Sequence, residues 1–217
     1  MSAVILDTET TGIDEPQPVE IAWLRVDSPA DLKVGQMFCC RYKPSKPIAL
    51  GAMATHHILD EDLANCAPHT EFRLPNGIEY LIGHSVDYDW EAIGKPAVKR
   101  IDTLAFSRKL WPKADSHSLG AMLYLHDRTK AGGYLRNAHS AATDAYNCYR
   151  LLGHILRALG EPVTWEAVWV LSEDARVPTH MNFGKHKGMA IADVPADYKR
   201  WLLGQPDIDP YLRKALT

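Results

Sequence analysis

Four acidic residues and one histidine have the types and spacing to perform chemistry: Asp7 and Glu9 in AVILDTETTG, Asp89 in IGHSVDYDW, and His139 and Asp144 in HSAATDAYNCY. Asp7 and Glu9 end an apolar run, Ala3-Val4-Ile5-Leu6, that predicts a buried strand. Residues two apart on a strand share a face, so the two carboxylates project together, about 7 Å apart along the backbone. No basic residue lies between Met1 and Val19 to neutralise them. Such a pair repels unless a cation sits between its members, and ligands that are all oxygen favour Mg²⁺ or Mn²⁺ over zinc. His139 precedes a helical pattern that carries Asp144 five residues on, about 7.5 Å along the axis. This predicts a carboxylate fixed by a helix beside a histidine hinged at its start. A neutral imidazole there is suited to accept a proton from water near pH 7.

The elements that must position these residues follow from the apolar pattern. Strands are predicted at 3–9, Pro18–Val26 and Gly35–Tyr42, joined by short connections as an antiparallel meander, then at Glu79–Gly83 and Lys99–Asp102. Helices are predicted at 51–57, 60–66, 87–93, 103–110, 118–126 and about 140–159, the last with Ala141, Ala145, Cys148, Leu152, Ile155 and Leu159 on one stripe. Residues 127–138 are polar and contain Gly132-Gly133, which predicts a mobile loop. Gly160-Glu161-Pro162 stops the long helix. A boundary is expected there, with a smaller unit beyond it: a helix at 164–175, a turn-rich stretch and two short helices. Strands followed by alternating strand and helix predict an α/β fold, a mixed sheet covered by helices.

Composition narrows the class. The chain has 217 residues and is 46% hydrophobic, enough for a real core. Its net charge of −3 divides unevenly: residues 1–94 carry 6 basic and 15 acidic residues, residues 95–217 carry 18 and 12. An acidic metal-binding half joined to a basic half suits an enzyme acting on an anionic polymer. Cys39, Cys40, Cys66 and Cys148 form no C-x-x-C pair and read as small apolar residues in a reducing compartment. The sequence shows no signal-peptide pattern and no apolar run of the ~18 residues a membrane helix needs, so a cytoplasmic protein without membrane association is expected.

The three motifs in this order resemble the DEDDh group of 3′–5′ exonucleases, and within it the exodeoxyribonuclease X family. Further resemblance lies in Ala52-Met53-Ala54-Thr55-His56, Arg108-Lys109-Leu110-Trp111-Pro112, Phe183-Gly184-Lys185 and Tyr198-x-x-Trp201-Leu202. The resemblance implies a ribonuclease-H-like mixed five-stranded sheet over residues 1–160 and a small, mostly helical unit over 163–217, a candidate for contact with DNA. It implies release of nucleoside 5′-monophosphates from DNA 3′ ends with two divalent cations, Mg²⁺ or Mn²⁺. Two cations about 3.5–4 Å apart stabilise the attacking and leaving oxygens of such a displacement. Asp7 would be shared by both cations, Glu9 and Asp144 would complete the first, Asp89 would support the second, and His139 would be the general base. Of Asp87 and Asp89, about 200° apart on a helix, the family pattern selects Asp89. Thr10, Thr11 and Gly12 would lie against the terminal nucleotide and His56 near its phosphate. Ser85 replaces the Asn usual in the family, and takes its place among the expected substrate contacts. A homodimer is compatible with the sequence.

Alternatives remain open at this level. An exoribonuclease of the same superfamily would use the same carboxylates, because discrimination rests on the 2′-hydroxyl. A non-catalytic nucleic-acid-binding relative would not need all five positions filled. A zinc hydrolase finds ten histidines but no H-E-x-x-H. Outside the main constellation, His84 reads as structural. Trp165 and Trp169 read as the core stripe of the terminal unit. Arg108, Lys109 and Lys113 cluster near Trp111. The stretch Asn182–Gly188 is either a solvated turn or a basic tip that grips DNA phosphates.

Overall fold

In the computed structural model, which describes residues 2–181 and 183–217, a five-stranded sheet organises the first part of the chain. Its strands are β1 (Ser2–Thr10), β2 (Pro18–Val26), β3 (Val34–Arg41), β4 (Ile78–Gly83) and β5 (Lys99–Asp102), in the order β3-β2-β1-β4-β5. β1 pairs antiparallel with β2, and β2 with β3; β4 joins the other side of β1 in parallel, and β5 joins β4 in parallel. The expected α/β architecture with a mixed five-stranded sheet is present.

Central position explains the composition of β1. Flanked on both edges and covered on both faces, Ala3, Val4, Ile5 and Leu6 are almost wholly buried. Val4 and Leu6 enter one core cluster with Ile21, Trp23, Leu81 and Val86. The intervening residues Ala3, Ile5, Asp7 and Glu9 share the other face by the two-residue period. The strand thus runs from core into chemistry on a single face.

The helices are α1 (Leu50–His56), α2 (Val86–Ala92), α3 (Thr103–Leu110), α4 (Leu119–His126), α5 (Arg128–Tyr134), α6 (Ala141–Ala158), α7 (Trp165–Arg176), α8 (Ala196–Leu203) and α9 (Pro210–Leu216). The long helix α6 packs across β1 and β2, burying Ala141, Ala145, Cys148, Leu152 and Ile155 as the periodicity requires. The chain divides into two compact units, Met1–Ser172 and Glu173–Thr217. The second has its own core of Met181, Ile191, Val194, Leu202, Leu212 and Leu216. Asn182, the first residue of the stretch read as a basic turn, lies outside the described residues.

Four expectations are corrected. Residues 128–134, expected as a mobile loop, form α5. Ala131 is fully buried there, so the segment is anchored as a helix despite its two glycines. The predicted helix at 60–66 shrinks to a short 3₁₀ turn, Asp60–Leu63. Cys39 and Cys40 are exposed on edge strand β3, not buried as small apolar residues. Trp165 belongs to the core of the first unit, where its indole N–H donates to the Asp27 carbonyl at 3.2 Å.

Candidate active site

The end of β1, the start of α6 and the middle of α2 converge on one pocket. Asp7, Glu9 and Asp144 each present a carboxylate oxygen, and the three oxygens lie within 4.8 Å of one another. Residues 135 positions apart meet because α6 packs across the strand that carries the first two. Asp89 approaches from α2 and is 5% exposed. Its Oδ1 accepts the Thr8 main-chain N–H at 3.0 Å and the Thr8 hydroxyl at 2.7 Å. These bonds hold Asp89 against β1, beside but outside the tight triad. Asp87 turns away and pairs with Arg100.

The charge of this pocket is uncompensated: among the described residues no ion pair reaches any of the four carboxylates. Burial first, then Asp89, Asp144, Glu9 and Glu20, push Asp7 well above the usual carboxylate range. Burial, Asp144, Glu20 and Asp89 push Glu9 up to about 8. Asp89 rises to about 7, chiefly through burial, although the Thr8 hydrogen bonds pull it back. Without a cation the pocket must hold protons near neutrality. A divalent ion replaces those protons, and a set of clustered carboxylate oxygens is the donor set that Mg²⁺ or Mn²⁺ takes.

His139 stands at the entrance to α6 with φ +66°, in left-handed backbone that only a few non-glycine residues occupy. Its main-chain N–H donates to Asp144 Oδ2 at 2.8 Å. The backbone of the histidine is therefore fastened to the carboxylate, while its exposed ring has no hydrogen-bond partner among the described residues. Asp144 Oδ1 lies 3.4 Å from the amide nitrogen of fully buried Asn147, which steadies its other oxygen.

The Thr10–Gly12 segment is pinned from several sides. The Thr10 carbonyl accepts from His56 Nε2 at 3.2 Å, and His56 Nδ1 accepts the Ile58 N–H at 3.0 Å. Both ring nitrogens of His56 are thus occupied inside the protein, and the residue shapes the segment from beneath. Tyr88 donates to the Gly12 carbonyl at 3.0 Å and also contacts the Thr10 hydroxyl. Thr11 is 2% exposed, and its carbonyl accepts the Ala49 N–H at 2.8 Å. Gly12 has φ +142°, and a Cβ would come within 3.3 Å of the Ala49 methyl. Ser85 is exposed with φ +71°; its N–H donates to Asp102 Oδ1 at 3.0 Å, and its hydroxyl caps nothing. Asn tolerates this backbone better than Ser, a physical reason for the residue usual in the family.

Three participants escaped the sequence reading. Glu20 sits on β2 directly across from Glu9 and is 8% exposed. Its Oε2 accepts the Ala141 N–H, the first amide of α6, at 3.0 Å, and its Oε1 accepts from Arg41 at 3.2 Å. Glu20 therefore ties β2 to the helix that carries Asp144. Ile13 and Leu50, 90% and 82% exposed, flank the pinned segment as bare apolar side chains. Their signal in the sequence was only an apolar residue in a polar setting, which is common by chance.

A crystal structure of Exonuclease X in complex with 5′ overhanging duplex DNA matches with TM-score 0.62 and 26% identity, over 77% of this chain and 99% of that one. E. coli exonuclease I in complex with a dT13 oligonucleotide matches with TM-score 0.57 and 20% identity, over 73% of this chain. A moderately thermophilic exonuclease I from Methylocaldum szegediense matches with TM-score 0.54 and 20% identity, over 82%. These two show the fold alone, and this chain spans only 42% and 44% of their lengths. No curated protein matches in sequence. The exonuclease family model RNase T matches residues 4–152, which hold all five residues of the constellation, and the chain belongs to that exonuclease family.

Proposed function

We propose that the chain is a 3′–5′ exodeoxyribonuclease that releases nucleoside 5′-monophosphates from DNA 3′ ends with two divalent cations, Mg²⁺ or Mn²⁺. The observation that carries this reading is the meeting of Asp7, Glu9 and Asp144 in a pocket where, among the described residues, no ion pair reaches them. In it, Asp7, Glu9 and Asp144 would hold one cation, and Asp7 and Asp89 would hold the other. Bound there, the cations would neutralise the scissile phosphodiester and favour ionisation of the attacking water. His139 receives the proton of that water on a ring nitrogen, and its main-chain tie to Asp144 keeps the ring within reach of the site. The new P–O bond forms as the bond to the 3′-oxygen breaks, so the terminal nucleotide leaves with its 5′-phosphate. The pinned Thr10–Gly12 segment, its carbonyls held inside the protein, backs that nucleotide, with Ile13 and Leu50 beside its base. His56 acts by holding Thr10 in place, since neither ring nitrogen is left for a phosphate.

A DNA oligonucleotide labelled at its 5′ end tests the reading. With Mg²⁺ or Mn²⁺ it should shorten stepwise from the 3′ end, stop with chelator, and resume with Mg²⁺ but not with Zn²⁺. A matched RNA should be cut more slowly. A substrate left intact in both metals would refute the reaction, and faster cutting of RNA would refute the choice of sugar.

A further inference from the structure

In the second unit, a row of partly buried aromatic rings ends in the exposed Trp201, beside cations that nothing in the proposed reaction employs. The turn 183–188 is tied at its base: Gly188 N–H donates to the Met181 carbonyl at 2.7 Å and Met189 N–H to the His186 carbonyl at 3.0 Å. Gly184, at φ +69°, passes so close to α8 that a Cβ there would lie 2.7 Å from the Tyr198 hydroxyl. The turn is therefore seated on Tyr198, and only glycine allows that seat. From Tyr198 the row extends both ways. The His186 ring meets it edge-on at 4.6 Å, and Trp201, one helical turn along α8, lies at 5.3 Å, tilted by 35°. Trp201 is 56% exposed and Phe183, at the start of the turn, 45%.

The cations accompany the rings. Lys185 and Lys187 flank His186 at the tip of the turn, and Arg200 precedes Trp201 in the sequence of α8. None of the three forms an ion pair among the described residues, whereas Arg176 of the same unit pairs with Glu173. A solvated turn would account for the lysines alone. It does not account for a row of rings that ends in a half-exposed indole, which costs apolar surface left in water.

We propose that this face binds single-stranded DNA, a base stacking on Trp201 and neighbouring phosphates meeting Lys185, Lys187 and Arg200. Exposed rings beside unpaired cations are the chemistry by which proteins hold single strands without reading sequence. A duplex keeps its base faces stacked inside. An acidic peptide would satisfy the cations and leave the indole unmatched. The choice of DNA over RNA rests on the function proposed above; the stacking surface does not.

The test uses the whole chain and a long single-stranded oligodeoxythymidylate, with affinity read by fluorescence anisotropy in chelator so that no cleavage occurs. Trp201→Ala should weaken binding by about tenfold, the size of one stacking contact, and Trp201→Phe should restore most of it. Lys185→Gln with Lys187→Gln should reduce the dependence of affinity on salt. In Mg²⁺, the rate on a saturating short oligonucleotide should be unchanged by any of these variants. Wild-type affinity in Trp201→Ala, an equal loss for blunt duplex, or a loss seen with RNA but not DNA would each overturn the proposal. A chain that binds through Trp201 yet never shortens DNA would refute the proposed reaction and leave this surface standing. One that shortens DNA with affinity indifferent to Trp201 would do the reverse.

Discussion

Asp7, Glu9 and Asp89 are held in an environment that resists their charge, and this has a measurable consequence. Glu9 keeps its proton up to about pH 8 in the folded chain, against 4.5 for an ordinary glutamate. The folded state therefore binds more protons than the unfolded state across that interval. Linkage then requires the metal-free protein to lose stability as pH rises from about 4.5 to about 8, and to level off above. A divalent cation competes with those protons, so the rise in melting temperature caused by Mg²⁺ should be small near about pH 5 and large near about pH 8. Melting curves over that range check it, and a Mg²⁺ effect independent of pH would contradict it. His139→Ala should slow cleavage by roughly 10²–10⁴-fold while the Mg²⁺-induced shift in melting temperature persists; loss of that shift would instead make His139 part of the cation site. At this scale the sequence was most informative, because Asp-x-Glu after an apolar run and His followed five residues on by Asp state their chemistry in residue type and spacing. Glu20 was not legible. In PVEIAW it reads as an ordinary acid, and only the pairing of β2 with β1 puts it opposite Glu9.

Two elements, β1 and α6, do most of the positioning, and Glu20 joins them. The Glu20 contact to the Ala141 N–H fixes where α6 begins, and so where Asp144 stands. Glu20→Ala leaves that amide unpaired, whereas Glu20→Gln keeps an acceptor and drops only the charge. The Ala variant should be less stable than the Gln variant by about 1–3 kcal/mol, measured by denaturant unfolding, and should bind Mg²⁺ more weakly. Equal stability would mean the contact does not anchor the helix. The strands and the long helices were legible from apolar periodicity, β2 to the residue. α5 was not, because Gly132-Gly133 argues for a loop locally while the burial of Ala131 decides for a helix. The left-handed backbones of Ser85 and His139 also left no trace in residue type, since neither is glycine.

The whole molecule divides later than Gly160-Glu161-Pro162 suggests. Trp165 is 2% exposed within the first unit, the Tyr80 hydroxyl donates to Glu166 at 2.6 Å, and the Ser172 hydroxyl accepts the Asp102 N–H at 2.9 Å. The acidic start and basic end of the chain were visible in its charges, but a helix break carries no record of which unit owns the helix beyond it. A chain ended at residue 162 should lose about 3–5 kcal/mol of stability, the scale of a removed core tryptophan. One ended at 177 should melt near the full-length protein. Equal melting of the two would place α7 outside the first core. Within that first unit, carboxylates separated by 135 residues gather into a donor set suited to divalent cations. Anomalous diffraction from crystals soaked in Mn²⁺ tests it most directly. Peaks are expected among the oxygens of Asp7, Glu9 and Asp144, with a second beside Asp7 toward Asp89; featureless anomalous density there, at full occupancy of the soak, would mean that these carboxylates hold no cation.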